Sequence, residues 1–102
     1  MQIYSVFLWL DIEIENDWLE YMLGQHIKDV MNTGCFIDWR LLKDTNSPDK
    51  NKAAYRVDYR LESSEKMDEY INVHSAELKN DVIMKFGDKF TAQRSIYDVI
   101  SD

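Results

Sequence analysis

A chain of 102 residues with 45% hydrophobic and 13% aromatic content is long enough for one domain, residues 1–102, whose core needs no covalent staples. Nineteen acidic residues against twelve basic ones leave a formal charge of −7, with the basic residues scattered singly, and this disfavours nucleic acid as a partner. Cys35 is the one cysteine, which excludes an internal disulfide and a cysteine-rich metal site, and no apolar run approaches the roughly 18 residues of a membrane span, so a soluble, reducing, cytoplasmic setting is expected.

The opening MQIYSVFLWLDIEIE lacks the positive flank and small-residue cleavage site of a signal peptide. Its β-branched and aromatic density predicts a strand over residues 3–12. Both faces are apolar, with Tyr4, Val6, Leu8 and Leu10 alternating with Ile3, Phe7 and Trp9. Such a strand belongs in the centre of a sheet, with something packed on each side. Residues 13–17 form an acidic lead-in, with Asn16 as the expected N-cap of a helix over 17–32. At 100° per residue its apolar stripe is Leu19, Leu23, His26 and Val30, flanked by Met22 and Ile27, and Gly34 is placed to end it.

A second strand is predicted over 35–43, with Cys35, Ile37, Trp39 and Leu41 on one face and Phe36, Asp38, Arg40 and Leu42 on the other. The polar segment 44–52, which holds Pro48, reads as an exposed, mobile hairpin tip. Residues 53–61 alternate cleanly, Tyr55, Val57, Tyr59 and Leu61 against Arg56, Asp58 and Arg60. Ser63, Ser64 and Glu65 open a second helix with the stripe Met67, Ile71, His74, Leu78 and Val82, closed by Gly87. The last strand, 89–99, carries Phe90, Ala92 and Ile96 on one side and a mostly polar set on the other, as suits a sheet edge.

The order is β-α-β-β-α-β. It predicts an α+β, ferredoxin-like sandwich, a four-stranded antiparallel sheet of order 4-1-3-2 with two helices on one face. The other sheet face is then left with the second apolar side of the first strand, Phe36 and Leu42, alongside Asp38, Arg40, Arg56, Asp58 and Arg60. An exposed apolar patch of that size argues for a homodimer through this open face rather than a solvated one.

The runs WLEYM, HIKDVMNTGCF, HSAELK and KFGDKF resemble those of the small domain-of-unknown-function family 4286 across nearly the whole chain. Matching positions are Trp18, His26, Ile27, Asp29, Val30, Met31, Thr33, Gly34, Phe36, His74, Leu78, Phe86, Gly87 and Asp88. That family resembles in turn the dimeric α/β-barrel superfamily, in which two ferredoxin-like subunits join their sheets. The resemblance implies this fold and the homodimer; it implies no particular reaction. Relatives in the superfamily include cofactor-free monooxygenases and isomerases, and haem-degrading enzymes with an axial histidine on the second helix, a place His74 could fill.

The residues themselves put His26 and His74 at the centres of their helix stripes, pointing at an aromatic layer of Trp39, Tyr55 and Tyr59. Satisfied core histidines are one reading. The other is a helix–sheet cleft in which His26, His74, Trp39, Tyr55 and Tyr59 contact a small, partly aromatic ligand. Within it, His26 is the candidate catalytic acid or base, with Asp29 placed to orient it. No cofactor and no metal is expected: the spacing of the two histidines and Cys35 matches no zinc pattern, and Cys35 reads as a small core residue. Three functions of different class follow. They are a ligand-binding homodimer, a cofactor-free monooxygenase or isomerase using His26, and a non-catalytic module that docks a protein partner on its acidic helices.

Overall fold

The computed structural model describes residues 1–47 and 49–102; of the predicted hairpin tip, Pro48 lies outside the described residues. Four strands, β1 (Gln2–Asp11), β2 (Asp38–Lys43), β3 (Lys52–Leu61) and β4 (Phe90–Asp98), form one antiparallel sheet of order β2-β3-β1-β4. This is the ferredoxin-like arrangement, with the doubly apolar β1 in the interior as its composition requires. Two helical segments cover one face: α1, residues 15–31, and α2, residues 64–86. No helix among the described residues is long and apolar enough to cross a membrane.

The register places two chemically distinct faces back to back. Toward the helices lie Tyr4, Leu8 and Leu10 of β1 with Tyr55, Val57 and Tyr59 of β3, all buried. On the open face Ser5 stands opposite Asp58, and Phe7 opposite Arg56. Asp58 is only 3% exposed although no element among the described residues packs over this face. Its carboxylate accepts hydrogen bonds from Ser5 Oγ (2.7 Å), Arg56 Nε (2.7 Å) and Arg40 Nη2 (3.2 Å). Burial alone would raise this carboxyl, but the three donors together hold it below the usual aspartate range.

Both helices start and stop largely as their ends dictate. Ser63 caps α2 by accepting from the Lys66 amide (3.5 Å), and Gly34 and Gly87 take positive φ values of 76° and 59° where the helices end. Asn16 is not a cap. A 3-10 turn, Ile12–Ile14, runs directly into α1, so Asn16 lies inside the helix, and Glu15 and Asp17 supply negative charge at its positive end.

The predicted stripes need a larger correction. Each helix contains one π turn, Met22–His26 in α1 and Tyr70–His74 in α2, and each π turn ends on the histidine. A π turn holds more residues than an α turn, so it advances the buried positions relative to a 3.6-residue period. In α1 the buried side chains are Trp18 and Met22 before the turn and Ile27 and Val30 after it, while Leu23 is 48% exposed. In α2 Tyr70, Ser75 and Leu78 are buried, and Ile71 is left 49% exposed.

Phe36 also departs from expectation. After Gly34 the chain is irregular until Asp38, so strict alternation does not extend back to residue 35. Phe36 therefore turns toward the helices, not the open face. Its ring centroid lies 4.8 Å from that of Tyr70, 5.0 Å from Tyr59 and 6.0 Å from Tyr4. The four rings form the aromatic end of the helix–sheet core.

Candidate functional site

Helix spacing and sheet curvature leave a cavity of about 380 Å³ between β1, β3, β4 and the two helices. Tyr4, Val6, Leu8, Val57 and Tyr59 line it from the central strands, Met22, His26 and Val30 from α1, and Tyr70, Leu78 and Val82 from α2. A volume of this order suits a small organic molecule. Aliphatic and aromatic carbon makes up most of the wall.

The formally charged groups in that wall are of one sign. Lys79 of α2 and Arg94 of β4 both line the cavity, and no aspartate or glutamate does. Neither cation has an ion pair among the described residues, whereas Arg40, Arg56, Arg60, Lys43, Lys52 and Lys89 all do. Burial first and the Arg94 charge second push the Lys79 ammonium below its ordinary range. In a protein with seven excess negative charges, two unpaired cations facing one apolar cavity are a local inversion of sign.

His26 adds a third feature. Its π turn aligns it with Tyr21 five positions earlier, and the two rings lie 5.9 Å apart at 31°. Nδ1 is buried without a hydrogen-bond partner among the described residues. Burial lowers the imidazole below its ordinary value of 6.5, opposed by Asp29 and Asp81 and assisted by Arg94. The ring is thus held neutral at pH 7, with one nitrogen able to donate and the other to accept. The stability consequence has a definite sign. Above 6.5 both folded and unfolded chains carry neutral imidazole; as pH falls below that value the unfolded chain takes up the proton first, and stability is lost until the folded group protonates as well. Urea midpoints of the protein are expected to fall between about pH 7.5 and 5.5, at no more than about 1.4 kcal/mol per pH unit from this group, and to fall less in His26→Gln. Equal slopes in the two proteins would remove His26 as the cause.

Sequence comparison matches residues 1–100 to the family described as domain of unknown function DUF4286. The chain belongs to that family. No curated protein matches it. Among solved structures, the DUF4286 protein is similar to a dimeric ferredoxin-like protein from an uncultured marine organism, at 14% identity and a TM-score of 0.69, covering 99% of this chain and 97% of that one. A putative antibiotic biosynthesis monooxygenase from Bacillus cereus is similar at 18% identity and a TM-score of 0.68, with 99% and 94% covered. A point mutant of MhuD with manganese protoporphyrin IX bound is similar at 18% identity and a TM-score of 0.66, with 100% and 97% covered. Likeness at these identities shows the fold alone.

The residues singled out in the sequence do not all meet in this DUF4286 protein. His26 and Tyr59 line the cavity; Trp39, Tyr55 and His74 do not. Tyr55 sits further along β3, where its ring packs at 4.9 Å on Trp18 and its hydroxyl donates to Glu15 Oε2 (2.7 Å); burial first and this bond second raise its pKa strongly. Trp39 shares a row with Tyr59, but β2 is an edge strand and the indole is 42% exposed. His74 opens onto a separate groove between the helices, lined also by Asp29, Asn32, Thr33, Glu77 and Asp81. A haem held in the cavity by His74 does not fit this arrangement, because that imidazole faces elsewhere. Lys79 and Arg94 are the residues that sequence reading passed over. Their signal was present for Arg94: it falls between Ala92 and Ile96 in the inward-facing register of β4.

Proposed function

We propose that this DUF4286 protein is a homodimer that binds a small, partly aromatic organic acid in the helix–sheet cavity. The carboxylate lies against Lys79 and Arg94, and the apolar part lies among Tyr4, Tyr59, Tyr70 and the neutral imidazole of His26. The observation that carries this reading is the pair of unpaired cations in an otherwise apolar, acid-free wall. An anionic group would relieve their mutual repulsion and gain charge-assisted hydrogen bonds from both. The free thiol of Cys35 is in keeping with a reducing cytoplasm as the place of action.

Ligand-observed NMR and thermal shift with benzoate, phenylacetate and salicylate, each against its neutral amide, test the assignment. The acids are expected to bind and stabilise and the amides to bind at least about tenfold more weakly. Arg94→Ala and Lys79→Ala are each expected to weaken the acids about tenfold, and the double variant more. Amides binding as tightly as acids, or a double variant with full affinity, would sink the proposal.

The homodimer places two open sheet faces together. Support comes from Ile3, Phe7 and Trp9 of β1 and the 37%-exposed Leu42 on that face, and from the satisfied, buried Asp58 at its centre. Arg56 lies 5.1 Å over the Phe7 ring, so even the charged residues here are laid flat against carbon.

A second reading is favoured by His26 alone. A neutral imidazole in the cavity wall can accept a proton from a bound substrate, as a monooxygenase or isomerase without cofactor would require. The discriminating result is a His26→Ala protein that still binds aromatic acids but no longer exchanges an acidic C–H of the bound ligand with deuterium from solvent.

A further inference from the structure

Outside the cavity, at the end of the groove between the helices, three side chains of different metal affinity converge. Cys35 Sγ–H donates to Glu69 Oε2 at 3.1 Å, and His74 Nε2 lies 3.8 Å from the same oxygen. One ligand atom from each lies within 4.8 Å of the other two. We infer that Cys35, Glu69 and His74 form a binding site for a divalent metal ion of the zinc class.

The π turn of α2 is what builds it. Five positions apart on an α-helix, Glu69 and His74 would diverge by about 140° at 100° per residue. The i→i+5 bonding of the Tyr70–His74 turn brings the two side chains back over each other. Cys35 reaches them from the irregular segment after Gly34, the same segment that turns Phe36 inward. Spacing along the chain could not reveal the site, because α-helical periodicity keeps two of its members apart.

The chemistry suits a borderline divalent ion. Zinc bonds of about 2.0–2.3 Å in tetrahedral geometry separate neighbouring ligand atoms by about 3.3–3.8 Å. The distances from Glu69 Oε2, 3.1 Å to sulfur and 3.8 Å to nitrogen, are already close to that range. On binding, the Cys35 thiol proton leaves to solvent and the sulfur–hydrogen bond is replaced by a sulfur–metal bond. Thiolate and carboxylate together offset the dication, and the imidazole binds neutral. Three protein ligands leave a fourth position, and His74 borders a groove of about 310 Å³ in which a water could occupy it. Asp29, Glu77 and Asp81 line that groove without a cation, so the local field draws positive ions toward the site. Lys66, 3.6 Å from Glu69 Oε1, is a competing cation; its side chain is 45% exposed and can turn to solvent.

Titration of the tag-free protein with zinc, and separately with cobalt(II), tests the site. One cobalt per chain is expected, with a thiolate-to-cobalt charge-transfer band and the intense visible bands of a tetrahedral centre. Cys35→Ser should lose the charge-transfer band. His74→Gln and Glu69→Gln should each weaken zinc at least about tenfold, while His26→Gln leaves affinity unchanged. His74 and Glu69 are part-exposed, so these two variants decide the matter even where Cys35→Ser fails to fold. Failure to bind zinc at about 10 μM, cobalt binding without charge transfer, or zinc affinity indifferent to both His74→Gln and Glu69→Gln would overturn the assignment. None of these readouts involves an organic acid, so the site stands or falls apart from the cavity.

Discussion

Trp18→Ala is expected to lower the unfolding free energy by about 3–5 kcal/mol, the range for removing a large, fully buried aromatic side chain. Trp18 has no exposed surface and packs against the Tyr55 ring at 4.9 Å. Behind that contact, Glu15 accepts both the Tyr55 hydroxyl (2.7 Å) and the Lys43 ammonium (2.8 Å), tying α1, β3 and β2 together at one end of the sandwich. A cavity left there cannot collapse without breaking this tie. One detail sharpens the expectation. The Trp18 Nε1–H is buried with no acceptor among the described residues, and an unmet donor costs about 1–3 kcal/mol. Trp18→Phe keeps most of the packing and removes that donor, so it should cost far less than Trp18→Ala. Urea unfolding of both variants checks the pair, and two similar losses would show that the indole nitrogen is not unfavourable where it lies.

Leu42→Lys is expected to turn the proposed open-face dimer into monomers while leaving the subunit folded. Leu42 lies at the sheet edge, directly across from Arg56, and is already 37% exposed in the single chain. In the monomer the new ammonium reaches water. Between two open faces it would be buried beside a like charge, and a two-fold interface contains the substitution twice. A loss of about 3 kcal/mol or more, about a hundredfold in dissociation constant, follows. Sedimentation velocity over a dilution series, with circular dichroism to monitor folding, measures it. Undiminished association would mean that the copies meet elsewhere, and a parent protein that is already monomeric would mean that they do not meet at all.

Much of the architecture was legible because it depends on local rules. A strand apolar on both sides must be interior, Ser63 caps by its hydroxyl, and Gly34 and Gly87 accept a φ that other residues resist. What was missed traces to assumed periods. A strict 3.6-residue repeat put Leu23 and Ile71 in the core in place of Trp18 and Tyr70, since nothing in composition announces a π turn. Strict alternation carried back past Asp38 sent Phe36 to the wrong face. His26 and Tyr59 do reach the cavity, but its two cations were overlooked because single basic residues in an acidic chain look like surface. Trp39 and Tyr55 failed as lining residues for a positional reason, one lying at an edge and the other beyond the cavity's end.

The two π turns have a consequence for how these helices tolerate change in length. Each behaves as an extra residue spliced into a regular helix, with the strain confined to about one turn. Loss of a residue within Met22–His26 would restore a regular helix and leave the segments on either side facing much as they do now, because the π turn is what absorbs that residue. The fold would survive this, and the histidine, then four positions from Tyr21 on a regular helix instead of five across a π turn, would keep nearly its present bearing. The same holds for Tyr70–His74. Members of the family one residue shorter at either place are expected to keep the same faces on a regular helix, so a histidine is held in place either five positions after its partner across a π turn, as here, or four positions after it without one.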